Sequence, residues 1–302
     1  MSERLDFVFG EREDLEDIFR IADTTGWGET KDDILRYIRN PHHKYIMIVD
    51  PEGVIVAITL AVVYNEIGFI GHVIVEPELR GMGIGKEIMI EAINYLKYRG
   101  CKTIKLDAVQ KARSLYERVG FQFEKNSLRY FLDLSTEEKK KDFFERRKEF
   151  TKVNPIHTAK ECDLDEILIA DEELFGCNRE GLLKILFEDF PELALISRDT
   201  DDFLAGYSFG VVENKILRIR AGLSDSLETT INLINTAIAS AIETHKIEGV
   251  SIGMVENTNW GVKAMEALGF EKTGFSLRMY YGEKSEATIN PSYFAIGHPA
   301  KG

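Results

Sequence analysis

V-I-V-E-P-E-L-R-G-M-G-I-G-K, residues 73–86, is the stretch on which the reading of the fold turns. The β-branched run Val73, Ile74, Val75 has strand composition and stops at Glu76-Pro77. Arg80, Gly81, Met82, Gly83, Ile84 and Gly85 form a glycine-rich turn, and from Lys86 to position 98 the apolar spacing is helical. The order is strand, glycine turn, helix. A helix N-terminus presents unpaired N–H groups and the positive end of its dipole, so it stabilises an anion. Glycine lets the backbone approach without a Cβ clash, and the Arg80 guanidinium adds a charge-assisted hydrogen bond. The turn suits a pyrophosphate.

Three phosphate patterns and one purely structural reading compete for this loop. A dinucleotide-binding G-x-G-x-x-G requires glycine at position 86, where Lys86 stands, and belongs at the first strand of a βαβ unit. A P-loop requires a longer glycine spacing than Gly81 to Gly85, and Ser or Thr after the lysine, where this chain has Glu87. The pattern R-x-x-G-x-G is complete. A glycine turn that only caps a helix is the structural alternative.

R-x-x-G-x-G resembles the pyrophosphate loop of the GNAT acyl-CoA N-acyltransferases. Residues 106–121, L-D-A-V-Q-K-A-R-S-L-Y-E-R-V-G-F, resemble that family's strand leading into a short helix that ends A-x-x-L-Y-E-x-x-G-F. The two motifs follow in the family's order and at a similar spacing. Val109 stands where many GNAT sequences carry asparagine. The L-D-A run and the C-terminal R-M-Y-x-G resemble a tandem subgroup with two such domains in one chain.

The chain repeats itself. Gly120-Phe121 recurs 149 positions on as Gly269-Phe270. In the same register Asp14-Leu15 meets Asp163-Leu164, Val62-Val63 meets Val211-Val212, Gly100 meets Gly249, and Ser127-Leu128-Arg129 meets Ser276-Leu277-Arg278. An ungapped register of this length implies two copies of one fold. The expectation is an α+β chain of two tandem GNAT-like domains, each a mixed, mostly antiparallel sheet flanked by helices. Residues 1–134 form the GNAT N-acetyltransferase domain, 135–152 a linker helix, and 153–302 a degenerate GNAT-like domain with a C-terminal tail. The linker's mixed charges leave Phe143, Phe144 and Phe150 to dock one side. The second copy lacks the chemistry: Arg80 meets Thr229, Gly83 meets Asn232, Gly85 meets Ile234, and Tyr116 meets Met265. The apolar tail segment 293–297 is expected to pack back on a domain.

At 302 residues, 44% hydrophobic and 29% charged, the chain has the composition of a two-domain soluble protein. A formal net charge of −13 argues against nucleic acid or an anionic membrane as partner. Cys101, Cys162 and Cys177 show no metal spacing and read as reduced thiols of a cytoplasmic protein. The N-terminus shows no signal peptide, and the longest apolar run is too short to span a bilayer.

The resemblance implies an acetyl-CoA-dependent N-acetyltransferase, with direct transfer to an amine in a ternary complex and no metal. The implied cofactor contacts are Val73, Ile74 and Val75 along the pantetheine arm, and Arg80, Gly81, Met82, Gly83, Ile84, Gly85 and Lys86 around the pyrophosphate. Val73 is the candidate N–H donor to the thioester oxygen, freed by a bulge. Tyr116 is the candidate general acid, since a phenol is a suitable donor to a thiolate. Some family members place a glutamate base where this chain has Phe69, so Glu66, His72 and Asp107 are the alternatives. The acceptor, a small-molecule or peptide amine, is expected over residues 23–33, with Trp27 and Glu29 joined by His72. Trp27 plugging the core behind a helix cap is the competing reading, and Asp32 and Asp33 join Glu29 as acids able to attract an ammonium. A monomer or homodimer is expected. The alternative function is a non-catalytic acyl-CoA-binding module acting through a protein partner.

Overall fold

A computed structural model describes residues 6–147, 155–256 and 258–296. Its strands in chain order are β1 (Asp6–Gly10), β2 (His43–Val49), β3 (Ile55–Tyr64), β4 (Ile67–Val75), β5 (Thr103–Ala108), β6 (Gln122–Asp133), β7 (Ile156–Thr158), β8 (Ala194–Arg198), β9 (Leu204–Glu213), β10 (Ile216–Ser224), β11 (Gly249–Val255), β12 (Glu271–Gly282) and β13 (Tyr293–Ala295). The helices are α1 (Leu15–Asp23), α2 (Lys31–Arg39), α3 (Ile84–Tyr98), α4 (Arg113–Arg118), α5 (Glu137–Arg147), α6 (Leu164–Phe175), α7 (Glu180–Asp189), α8 (Leu227–His245) and α9 (Gly261–Leu268). The fold is α+β, with mixed, mostly antiparallel strands flanked by helices.

Two compact units emerge, Met1–Glu124 with Leu277–Ser285, and Lys125–Ser276 with Glu286–His298. This division departs from the sequence repeat. Residues 125–134, at the end of the first copy, lie in the second unit, and the close of β12 lies in the first.

The first unit's strands run β1-β2-β3-β4-β5, followed by residues 277–282 of β12. β3 is buried along its whole length, as a continuous apolar run requires when both faces are covered. β4 pairs antiparallel with β3 and parallel with β5. α3 begins at Ile84, two residues before the sequence suggested, and residues 122–133 form one long strand, β6. β12 brings Arg278 onto Asp107 in a fully buried bidentate pair, both contacts 2.9 Å. Lys105, also buried, pairs with Glu124 at 3.0 Å and donates to the Ser285 carbonyl. Each charge is compensated, which burial demands.

The second unit's strands run β6-β11-β10-β9-β8-β7, with residues 271–276 of β12 beside β6. Its core joins β8, β10 and β11 to α8 and α9. Phe143 of α5 is buried in that core, whereas Phe144 is exposed and only rests edge-on against Phe143. One docked ring, not two, therefore holds this helix; Phe150, residues 148–152 and tail residue Gly297 lie outside the described residues. Among the described residues no helix is long and apolar enough to cross a membrane. None of the three cysteines is in a disulfide; Cys101 and Cys177 are buried and Cys162 is exposed.

Candidate active site

The site is built on β4. Ile58 of β3 lies opposite Ile74, but Leu60 lies opposite Gly71. His72 and Val73 therefore share one partner position, and β4 carries a bulge there. His72 takes the turn in the left-handed region, φ +49°, which costs a residue with a Cβ roughly 1–2 kcal/mol. The bulge separates its two residues. Val73 packs with Ile84 and Ile88 of α3, while the His72 ring meets Tyr45 and Tyr37.

His72 is held at both ring nitrogens. The Tyr45 hydroxyl lies 2.9 Å from Nδ1, and Glu29 Oε1 lies 3.3 Å from Nε2. Burial, then the charges of Glu29 and Asp33, push the Tyr45 phenol well above its ordinary pKa; a carboxylate only accepts, so an N–H on Nε2 facing Glu29 and a Tyr45 hydroxyl donating to Nδ1 is the arrangement that satisfies both contacts. Glu29 also accepts from the Tyr37 hydroxyl at 3.3 Å. Tyr37 and Tyr45 were not among the sequence candidates. Their signal was present, since both are tyrosines on inward positions and a buried hydroxyl requires a partner.

Beyond Phe69 the sheet opens. β4 pairs with β5 only over Ile67, Gly68 and Phe69, while β5 continues beside β12 to Ala108. Among the described residues, β4 from residue 70 onward has β3 on one edge and no strand on the other. An extended chain could add there as a strand.

The glycine turn follows. Gly81 and Gly83 sit at φ +85° and +95°, and a Cβ on either would meet nothing within 4 Å. Backbone conformation, not crowding, calls for glycine. Gly83 is the N-cap of α3 and offers no side-chain cap; the Lys86 N–H donates to the Gly83 carbonyl at 2.8 Å, and the amides of Ile84 and Gly85 receive no side-chain cap from it. Arg80 and Lys86 are exposed beside them, and Arg80 Nε donates to the Val75 carbonyl at 3.0 Å. These residues fit a phosphate-bearing group. A Cβ at Gly85 would lie 3.6 Å from Leu115, so the turn runs against α4, which carries Tyr116. The Tyr116 ring is buried, edge-on to Phe121 at 6.2 Å, and burial raises its pKa to about 12.

The structure thus brings together Val73, His72 and Glu29 at the bulge, and the glycine turn with α4. The remaining candidates are used otherwise. Glu66 pairs with Lys102 at an exposed turn, 2.5 Å away. Asp107 is bound by Arg278, whose guanidinium lies 5.6 Å from the Phe69 ring centroid. Asp33 is not available to draw an ammonium: it forms a capping box with Thr30 and pairs with Arg36 at 3.1 Å. Trp27, 48% exposed, does not plug the core.

Residues 12–121 match the acetyltransferase (GNAT) family. A 68-residue stretch is 34% identical to the glucosamine 6-phosphate N-acetyltransferase of Trypanosoma brucei brucei, covering 22% of this chain and 45% of that relative. The chain thus spans about half the length of that curated relative. Among solved structures, a Pyrococcus horikoshii protein assigned as an acetyltransferase superposes with a TM-score of 0.77 at 17% identity, over 100% of this chain and 97% of that one. A tandem GNAT protein from the clavulanic acid biosynthesis pathway superposes with a TM-score of 0.66 at 13% identity, over 93% of this chain and 100% of that one. At such identities these likenesses concern the fold.

Proposed function

From the premise that residues 12–121 carry a GNAT-family acetyltransferase domain, we propose that the first unit moves an acetyl group from acetyl-CoA directly to the amine of an acceptor. The observation that carries this reading is the bulged, open-edged β4 running into an uncapped glycine turn. Acetyl-CoA supplies the activated acyl thioester. Arg80, Gly81, Met82, Gly83, Ile84, Gly85 and Lys86 hold the pyrophosphate through backbone amides and cationic side chains. Val73, Ile74 and Val75 pair with the pantetheine arm as a strand would. The Val73 N–H, released by the bulge, polarises the acyl carbonyl.

Tyr116 donates a proton to the departing thiolate. Its raised pKa keeps the phenol protonated at any physiological pH. Glu29, oriented by Tyr37 and His72, faces the acceptor and attracts its ammonium form, which gives one proton to water before the neutral amine attacks; the nitrogen's second proton is lost to water as the amide forms, and Trp27 borders the same loop. The relative's name points to an amino sugar phosphate, which makes that compound one member of the acceptor panel.

A second reading, an acyl-CoA binder without turnover, draws on Phe69, which is buried where some family members carry the base. The test is acetyl transfer by the purified full chain over amino sugars, polyamines and peptides. Turnover with at least one class supports the enzyme; CoA binding without turnover over the panel supports the binder. Arg80→Ala is expected to weaken CoA binding about tenfold, the loss of one charge-assisted contact. Unchanged affinity overturns the loop assignment under both readings.

A further inference from the structure

The second unit repeats the opening of the first, and fills it with its own chain. β10 and β11 pair in parallel from Ile216 to Ile219 on β10 and then part. β13 enters the gap. It pairs with β10, Gly222 opposite Ala295 and Leu223 opposite Tyr293. On the other side the Ile296 N–H donates to the Gly253 carbonyl of β11 at 2.9 Å, and below it Ser224 N–H donates to the Ser292 carbonyl at 3.2 Å. The inserted segment therefore bonds to both lips of the cleft.

The cleft is shaped for this occupant. Phe294 is wholly buried, and its ring covers Gly222 so closely that any Cβ there would collide with it. Gly222 is the counterpart of Val73, 149 positions on. The residue proposed to serve the acyl group in one copy is pared to glycine in the other, and an aromatic ring takes the space. Next to it the Tyr293 hydroxyl donates to Asp171 Oδ1 at 2.8 Å. Asp171 is itself gripped by Arg179 through two contacts of 2.8 and 2.7 Å, and it accepts from Tyr207. All four side chains are buried. Among the described residues Arg179 Nη1 has no hydrogen-bond partner, and the guanidinium lies 3.9 Å from the Phe175 ring centroid; a buried ionic network of this kind favours one arrangement of the segments it joins.

We propose that residues 291–296 are an internal stand-in for the pantetheine arm, a strand that locks the second unit's cleft and leaves one acyl-CoA site per chain. The comparison with pantetheine rests on the reading of the first unit given above; the lock itself does not. It also assigns a role to the tail that has no counterpart in the first copy.

Hydrogen exchange on the full chain, with and without CoA, separates the two claims. The amides of Tyr293, Ala295 and Ile296 should exchange as slowly as those of central β10. Saturating CoA should leave residues 291–296 and 220–224 unchanged within twofold while slowing residues 71–86. Gly222→Val, which restores the first copy's residue, should speed exchange at 293–296 by tenfold or more by expelling Phe294. Tyr293→Phe, a milder change that keeps the ring, should speed it about tenfold, as loss of buried hydrogen bonds implies. Tail amides exchanging like free chain in the wild type, or CoA altering residues 220–224, would overturn the lock. CoA leaving residues 71–86 unaffected would instead overturn the reading of the first unit, with the lock judged on its own protection.

Discussion

The two units solve the same strand-to-helix passage in opposite ways. In the first, β4 ends at Val75, and residues 76–83 wander through a glycine turn before α3 begins. In the second, β10 ends at Ser224 and α8 begins at Leu227. Ser226 caps α8, its Oγ accepting from the Thr229 N–H at 3.2 Å. Thr229, the counterpart of Arg80, is buried in the first turn. A helix whose Thr229 amide is taken by its own serine, and whose cap carries a side chain, offers a phosphate less than the glycine turn does. Both units carry a bulge on this strand, although in β10 the register slips between Ile219 and Ala221, at the counterpart of Gly71 rather than of His72 and Val73. The second unit thus keeps a cleft without counterparts of Arg80, Gly83 and Gly85, and that cleft is filled.

The largest expected effect concerns what the first unit borrows. Arg278→Ala leaves Asp107 charged and buried without its partner, which costs about 3–5 kcal/mol, read by denaturant unfolding. The repeat counterpart, Arg129→Ala, should cost less, because Arg129 is only half-buried and bonds to Ser276 Oγ and the Leu128 carbonyl. Equal costs would erase this asymmetry between the units.

Next comes Tyr116→Phe. Loss of a general acid is expected to lower kcat about 10²-fold while CoA affinity holds, read by steady-state kinetics beside binding. Burial places the Tyr116 pKa at about 12, so kcat should show no loss from its ionisation below pH about 10. The sign for stability follows from the same shift. Its folded pKa exceeds the unfolded value, so the phenol's stabilising effect is complete below pH about 10 and is lost as pH rises through about 12. Tyr116→Phe should remove that share of the alkaline loss, as unfolding midpoints against pH would report. The smallest effect is Ser226→Ala, about 1 kcal/mol from the lost cap, with turnover unchanged; a fall in turnover would give the second unit a part in the chemistry.

Much of this was legible in the residues. The strand, turn and helix of residues 73–98 follow from composition and glycine placement, and the 149-residue register exposed the repeat and the altered counterparts of Arg80, Gly83 and Tyr116. The strand exchange was not legible for a physical reason. Ser127-Leu128-Arg129 and Ser276-Leu277-Arg278 are the same tripeptide on equivalent strands, so either strand suits either sheet by local preference, and Asp107, which pairs with Arg278, would meet an arginine from either. The His72–Tyr45–Glu29 arrangement was half visible. His72 stood out as a polar residue in an apolar strand and Glu29 as an acid beside Trp27, but a bulge follows from three-dimensional pairing, and without it strand alternation alone does not bring the His72 ring to Glu29. The tail read as apolar and apt to pack; nothing in it marked the cleft that it enters, because the first copy has no such segment to compare.

The most direct test is calorimetric titration of the full chain with CoA, repeated on Arg80→Ala. The account predicts one site per chain, weakened about tenfold in the variant. Two sites per chain, or a single site indifferent to Arg80→Ala, would contradict the division into one open cleft and one closed by the protein's own tail.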